Sequence, residues 1–113
     1  MLKKENRLKK NRHFNYIYKK GEKFFEKHLN LCILKTKFKP FKVGFSVSNK
    51  IGKSTVRNKV KRRLREIVRL NFSSIKDTHN LVFIAKNGIE KLSYKELENE
   101  VINLLKKANL FRV

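Results

Sequence analysis

From Val56 onward the apolar positions recur at three- and four-residue intervals, through Val56, Val60, Leu64, Ile67 and Val68. At 100° per residue they fall within about 120° of arc, the core-facing stripe of one helix. Ser54 or Thr55 is the expected N-cap, and the pattern ends near Asn71. Upstream the period drops to two. Leu29, Leu31 and Ile33 alternate with Asn30, Cys32 and Leu34, and Phe41, Val43, Phe45 and Val47 alternate with Lys42, Gly44, Ser46 and Ser48. Both stretches predict half-buried strands. Phe24 and Phe25 form a brief extended piece before them. Leu81, Val82, Phe83, Ile84 and Ala85 run without interruption, as in an inner strand covered on both faces.

Two further helices flank this middle. Asn11 is a plausible N-cap, Phe14, Ile17 and Tyr18 follow at helical spacing, and Gly21 can close the helix. Near the end, Ser93 with Glu96 makes a capping box, with Leu92 and Leu97 at the staple positions. Leu97, Val101, Leu104, Leu105 and Ala108 then form a core stripe. The order is helix, three strands, helix, strand, helix, an α+β arrangement in one domain. Residues 1–10 read as a basic arm with little to bury, and 11–113 as the single folded unit.

Some positions leave two readings open. Gly44, Ser46 and Ser48 cannot fill space, so either a helix packs tightly there or a ligand backbone approaches. Phe14 and Tyr18, four apart, are either core or a stacking platform for bases.

Charge narrows the choice. Lys and Arg number 30 against 9 acidic residues, a net charge of +21 in 113 residues, more than solubility asks of a small domain. The 40% hydrophobic content, with nine Phe, excludes a disordered basic tail. On the helix from Ser54, Asn58, Arg62, Arg65 and Arg69 lie opposite the apolar stripe with Lys61 between, and only Glu66 offers a negative partner. Such a face cannot neutralise itself and suits a polyanion. Arg57 and Arg63 flank the stripe and are expected to lay their stems across it with their heads outward. Cys32 is the one cysteine, so no intramolecular disulfide marks an oxidising compartment; with no membrane-length apolar run, a cytoplasmic setting is expected.

Catalytic motifs are absent or misleading. Gly52, Lys53, Ser54 and Thr55 imitate the end of a phosphate loop, but its first glycine would fall on Val47. A helix N-terminus there can still receive a single phosphate. His13, His28 and His79 show no metal-ligand spacing, Asp77 is the only Asp, and Glu96, Glu98 and Glu100 sit at the start of the last helix, where they complement its dipole. Binding chemistry is present without a catalytic apparatus, and no organic cofactor or protein-held metal is expected. A DNA-reading helix is disfavoured because no turn and partner helix precede it.

The order Gly52, Val56, Arg57, Asn58, Lys61, Arg62, Arg65, Glu66 resembles the signature helix of the bacterial ribonuclease P protein component. Arg7 to Lys10, Phe14 with Tyr18 and Gly21, the Val43-Gly44-Phe45-Ser46-Val47-Ser48 strand, and Leu92-Ser93-Tyr94 fall in that family's order too. The resemblance implies an αβββαβα two-layer sandwich, with strands over 22–25, 29–35, 42–48 and 81–86 and a left-handed βαβ crossover carrying the signature helix. It also implies the protein subunit of a ribonucleoprotein that removes the 5′ leader of precursor tRNA. The active site would lie on the RNA, which would hold the Mg²⁺, and one protein monomer would bind one RNA without any membrane.

By the same resemblance Lys53, Arg57, Asn58, Lys59, Lys61, Arg62 and Arg65 would meet the catalytic RNA. Phe14, Tyr18, Cys32, Ser46 and Lys50 would line a cleft for the leader, with Arg57 and Arg65 at its rim. Ser54 and Thr55 replace a small apolar pair usual in the family, Lys59 stands where arginine is common, and Cys32 replaces a frequent aromatic. The alternative function is a ribosomal or RNA-chaperone protein with the same basic surface and no leader groove.

Overall fold

A computed structural model describes residues 6–8 and 10–112. The elements run α1 (Asn11–Lys20), β1 (Glu22–Phe25), β2 (Leu29–Lys35), β3 (Val43–Ser46), α2 (Ser54–Leu70), β4 (His79–Ala85) and α3 (Tyr94–Lys107), the αβββαβα order. One sheet holds the strands in the order β1-β2-β4-β3. β2 pairs antiparallel with β1 and β4, whereas β3 pairs parallel with β4, so α2 is the crossover between two adjacent parallel strands. β4 carries the uninterrupted apolar run because it has a strand on each side and cover on both faces; Leu81, Val82 and Phe83 are all buried.

The register sorts side chains between the faces. Leu31, Phe83 and Phe45 stand in one row, with the Phe45 and Phe83 rings 5.9 Å apart and nearly parallel. That face is covered by Val60, Leu64, Ile67 and Val68 of α2 and by Leu97, Val101, Leu104 and Leu105 of α3, forming the main core with the sheet. Burying each Leu in it stabilises the fold by about 2 kcal/mol before entropy is charged. Cys32, Val82 and Gly44 form the matching row on the opposite face, where α1 lies, with Ile17 and Leu8 buried against Cys32 and Val82.

Three local expectations change. Residues 6–8 of the arm are docked, not solvated: Arg7 bridges Val43 in parallel, the Leu8 N–H donates to the Val43 carbonyl at 2.9 Å, and Asn6 Nδ2 donates to the Phe41 carbonyl at 3.3 Å. β3 is an edge strand, and its outward backbone groups find partners in the chain that precedes α1. The rest of the arm, 1–5 and 9, lies outside the described residues.

The caps differ as well. Lys10 and Lys53, not Asn11 and Ser54 or Thr55, occupy the N-cap positions of α1 and α2, and neither makes a side-chain cap. At α2 the chain enters through Gly52 at φ 155°, ψ −169°, a conformation open almost only to glycine, which sets Lys53 in the extended cap conformation. The box on α3 forms fully: Ser93 N–H donates to Glu96 Oε1 at 2.9 Å and Glu96 N–H to Ser93 Oγ at 3.1 Å. β3 is shorter than 42–48, and β4 begins two residues before Leu81.

Gly21 closes α1 for a reason other than its backbone angle, which at φ −83° suits any residue. A Cβ there would sit 2.3 Å from the Ile33 carbonyl oxygen and 2.6 Å from that of Ile17. Glycine lets the end of α1 abut the β2 backbone.

Candidate nucleic-acid interface

α1 crosses one sheet face and leaves a cleft of about 650 Å³ between itself, β3 and the flank of α2. Arg7, Asn11, Phe14 and Asn15 form one wall, Phe45, Ser46 and Val47 the β3 side, and Lys61 and Arg65 the opposite wall. Four residues apart, Lys61 and Arg65 share one side of α2. Both are half-buried there, which takes them off the outer cationic face and into the groove. Phe14 is half-buried above Gly44, so the absence of a side chain at Gly44 is answered by a packed helix, whereas Ser46 faces the open cleft.

The expected leader residues therefore divide. Phe14 and Ser46 line the cleft. Tyr18, one turn along α1, is exposed beside it, with Lys23 Nζ 4.8 Å from its ring centroid. Lys50 is exposed on the turn Asn49–Ile51 that follows β3 and does not line the cleft.

Cys32 requires correction. It is 0% exposed beneath α1, its Sγ donates to the Ile17 carbonyl at 3.1 Å, and burial raises its pKa. The side chain points to the expected sheet face, but the helix covers it.

Among the residues expected to meet the RNA subunit, Lys53, Asn58, Lys59 and Arg62 are exposed on α2 and its entry. Arg57 and Arg63 do not simply point outward. Arg57 Nε donates to the Gly52 carbonyl at 3.1 Å and Arg63 Nη1 to the Leu92 carbonyl at 3.0 Å, pinning α2 to its entry loop and to the approach to α3. Backbone carbonyls orphaned at those turns take the guanidinium donors.

The acidic residues are engaged elsewhere. Glu66 accepts two hydrogen bonds from Arg69, at 3.1 and 2.5 Å, so Arg69 drops out of the unneutralised face. Asp77 pairs with Lys39, Glu98 with Lys95 and Glu26 with Lys107, while Glu100 accepts from the His28 backbone N–H and contacts its Nδ1. No acid lines the cleft among the described residues. Burial, and then the nearby Arg7 guanidinium, lowers the pKa of Arg65 below its ordinary value, the mark of cations gathered in a partly dehydrated place. Such a groove attracts a phosphate chain.

Sequence reasoning missed Arg7, Asn11 and Asn15 as cleft residues. Asn11, Phe14, Asn15 and Tyr18 lie at helical spacing, a signal that was available once Asn11 is not spent on a cap. Arg7 enters only through the pairing with β3, which no local pattern announces. The described residues contain no group of three or more His, Cys, Asp or Glu able to hold a metal, and no helix among them is long and apolar enough to cross a membrane.

Comparison with known proteins agrees with this fold. The family model described as Ribonuclease P matches residues 2–109. A ribonuclease P protein component of Clostridium botulinum (strain 657 / Type Ba4) is 44% identical over 109 residues, covering 96% of this chain and 98% of the relative. The ribonuclease P protein of Staphylococcus aureus superposes with a TM-score of 0.88 at 32% identity, over 96% of this chain and all of the other. That of Thermotoga maritima gives 0.82 at 30% identity, over 89% and 96%. The chain belongs to the ribonuclease P protein component family.

Proposed function

We propose that the chain docks on a ribonuclease P RNA through α2 and holds the 5′ leader of precursor tRNA in the cleft between α1, β3 and α2. The observation that carries the reading is the cleft itself, with the Phe14 ring on one wall, Lys61 and Arg65 on the other, and no acidic lining. Stacking on an aromatic face accepts any base, and cations along a groove neutralise the backbone, so many leaders are held without being read. Membership of the family, whose relatives are protein components of ribonuclease P, supports the same partner RNA.

Docking uses Lys53, Asn58, Lys59 and Arg62, exposed and free of acidic neighbours on the helix apart from Glu66. Arg57 serves by fixing the Gly52 entry, which presents the α2 N-terminus with no acidic residue in its first turn to a phosphate. Hydrolysis belongs to the RNA, which holds the Mg²⁺. The protein contributes affinity for the leader and relieves phosphate repulsion, lowering the Mg²⁺ concentration needed. One copy of the chain serves one RNA, in the cytoplasm.

The test compares substrates. Phe14→Ala should weaken precursor tRNA binding by about tenfold and leave mature tRNA unchanged. Equal losses on both would favour an RNA-chaperone role. Reconstitution with a cognate RNA at low Mg²⁺ should stimulate 5′ cleavage; no stimulation would overturn the assignment.

A further inference from the structure

On the other flank of α1 lies a second pocket, of about 380 Å³, whose walls are mainly rings and aliphatic carbon, with Thr36, Lys42 and Asn80 also lining it. Tyr16 and His13 come from α1, Phe38 and Pro40 from the loop between β2 and β3, and Leu8 from the docked arm. Phe38 is 82% exposed and Tyr16 59%, and neither belongs to a core cluster. A large apolar ring held out at a loop tip contributes little to folding. Its loop is nonetheless held in place: Phe38 N–H donates to Thr36 Oγ1 at 3.2 Å, and Lys39 Nζ reaches both the Asp77 carboxylate at 2.9 Å and its backbone carbonyl at 2.7 Å. An anchored loop binds a ligand at lower ordering cost than a free one.

The rim decides what the ligand is. Lys42 lines the pocket, the exposed Arg12 and Lys37 are chain neighbours of the lining residues His13 and Phe38, and Asp77, the acid beside Lys39, is already paired. An apolar peptide would satisfy the rings and leave the cations without partners, whereas a nucleotide satisfies both, its base between rings and its phosphate on the rim. Leu8, itself buried, lines this pocket and the leader cleft alike, so the two lie on either side of the chain that enters α1, where Lys10, Asn11 and Arg12 are exposed.

We propose that the single-stranded leader, on leaving the cleft, rounds the first turn of α1 and stacks a distal base against Tyr16 and Phe38. The assignment of the strand as leader rests on the function proposed above; the pocket's chemistry does not. Long leaders would thus use two stacking sites and short leaders one.

Affinity of the protein for single-stranded RNA of increasing length separates the two. Phe38→Ala and Tyr16→Ala should bind short oligonucleotides as the unaltered protein does and lose about tenfold on long ones, while Phe14→Ala loses affinity at both lengths. Loss at neither length, or equal loss at both, for the Phe38 and Tyr16 variants overturns the second site. A silent Phe14→Ala would instead sink the cleft reading and leave the pocket result interpretable. Because the chain has no Trp, Phe38→Trp supplies a single indole at an exposed position. Its fluorescence should be quenched by long RNA and not by short. No quenching at saturating long RNA, or quenching on raising protein concentration without RNA, would mean an empty pocket or a second copy of the chain in it. The same measurements on precursor tRNAs of graded leader length should reproduce the length threshold; a threshold seen with oligonucleotides alone would overturn the leader as the strand.

Discussion

The ring of Phe14 rests on Gly44 with so little clearance that a Cβ on Gly44 would lie 2.6 Å from Cε1 and Cζ, and 3.1 Å from Leu8 Cβ. A helix and an edge strand approach at this contact, which seats the ring in the wall of the cleft. Gly44→Ala should therefore cost about 1–3 kcal/mol of stability and reduce precursor affinity by displacing Phe14. In a Phe14→Ala background most of that stability cost should vanish, since the truncated side chain frees the space. A denaturation double-mutant cycle showing additive losses would mean that Gly44 acts through something other than the ring.

Lys61 and Arg65 stand in the cleft and Arg62 on the outer face. Removing either cleft cation by Ala substitution should flatten the salt dependence of leader binding by about 0.7 in log–log slope, one phosphate each. Arg62→Ala should leave that slope unchanged in the isolated protein and weaken assembly with the RNA subunit. Filter-binding titrations across salt concentrations check both. An identical response of all three would erase the division between the two surfaces.

Cys32 is enclosed by α1 and its thiol pKa is raised by burial. A thiol reagent should react slowly with the folded protein and fast in denaturant. Cys32→Tyr should not add a stacking contact to the leader. It should destabilise the domain by about 1–3 kcal/mol, because a phenol ring does not fit beneath Ile17. A gain in leader affinity at unchanged stability would place the side chain in the cleft after all.

Glu96 has its carboxyl pKa lowered, first by the Ser93 backbone N–H and then by the Ser93 hydroxyl. A depressed carboxyl stabilises the fold at pH above its ordinary value of 4.5 and loses that contribution as pH falls through the lower folded value. Glu96→Gln should thus lower the melting temperature at neutral pH, with the gap to the unaltered protein closing in acid. A gap that stays constant below pH 4 would mean that the carboxylate's charge plays no part in the cap.

The αβββαβα order was legible because period-two and period-3.6 patterns are local consequences of which face meets the core. The capping box was legible for the same reason: Ser93 and Glu96 need only each other's backbone. The caps on α1 and α2 were misassigned because Asn11, Ser54 and Thr55 suit the position chemically, while the entry conformation set by Gly52 puts Lys53 there. Arg57 and Arg63 looked like free cations in a helical projection, which contains no neighbouring loops; the Gly52 carbonyl that engages Arg57 lies in the entry loop five residues upstream, and the Leu92 carbonyl that engages Arg63 comes from 29 residues downstream.

Composition and periodicity determined that this chain folds around α2 and carries a large surplus of positive charge. Only the tertiary structure decided where that charge collects. Lys61 and Arg65 became cleft residues, and Cys32 a covered one, through the placement of α1 and of residues 6–8 against β3. That placement depends on contacts between segments distant in the chain, such as Leu8 with Val43 and Phe14 with Gly44. A pattern read along one strand or one helix reports which face is apolar, but not which other element arrives to cover it.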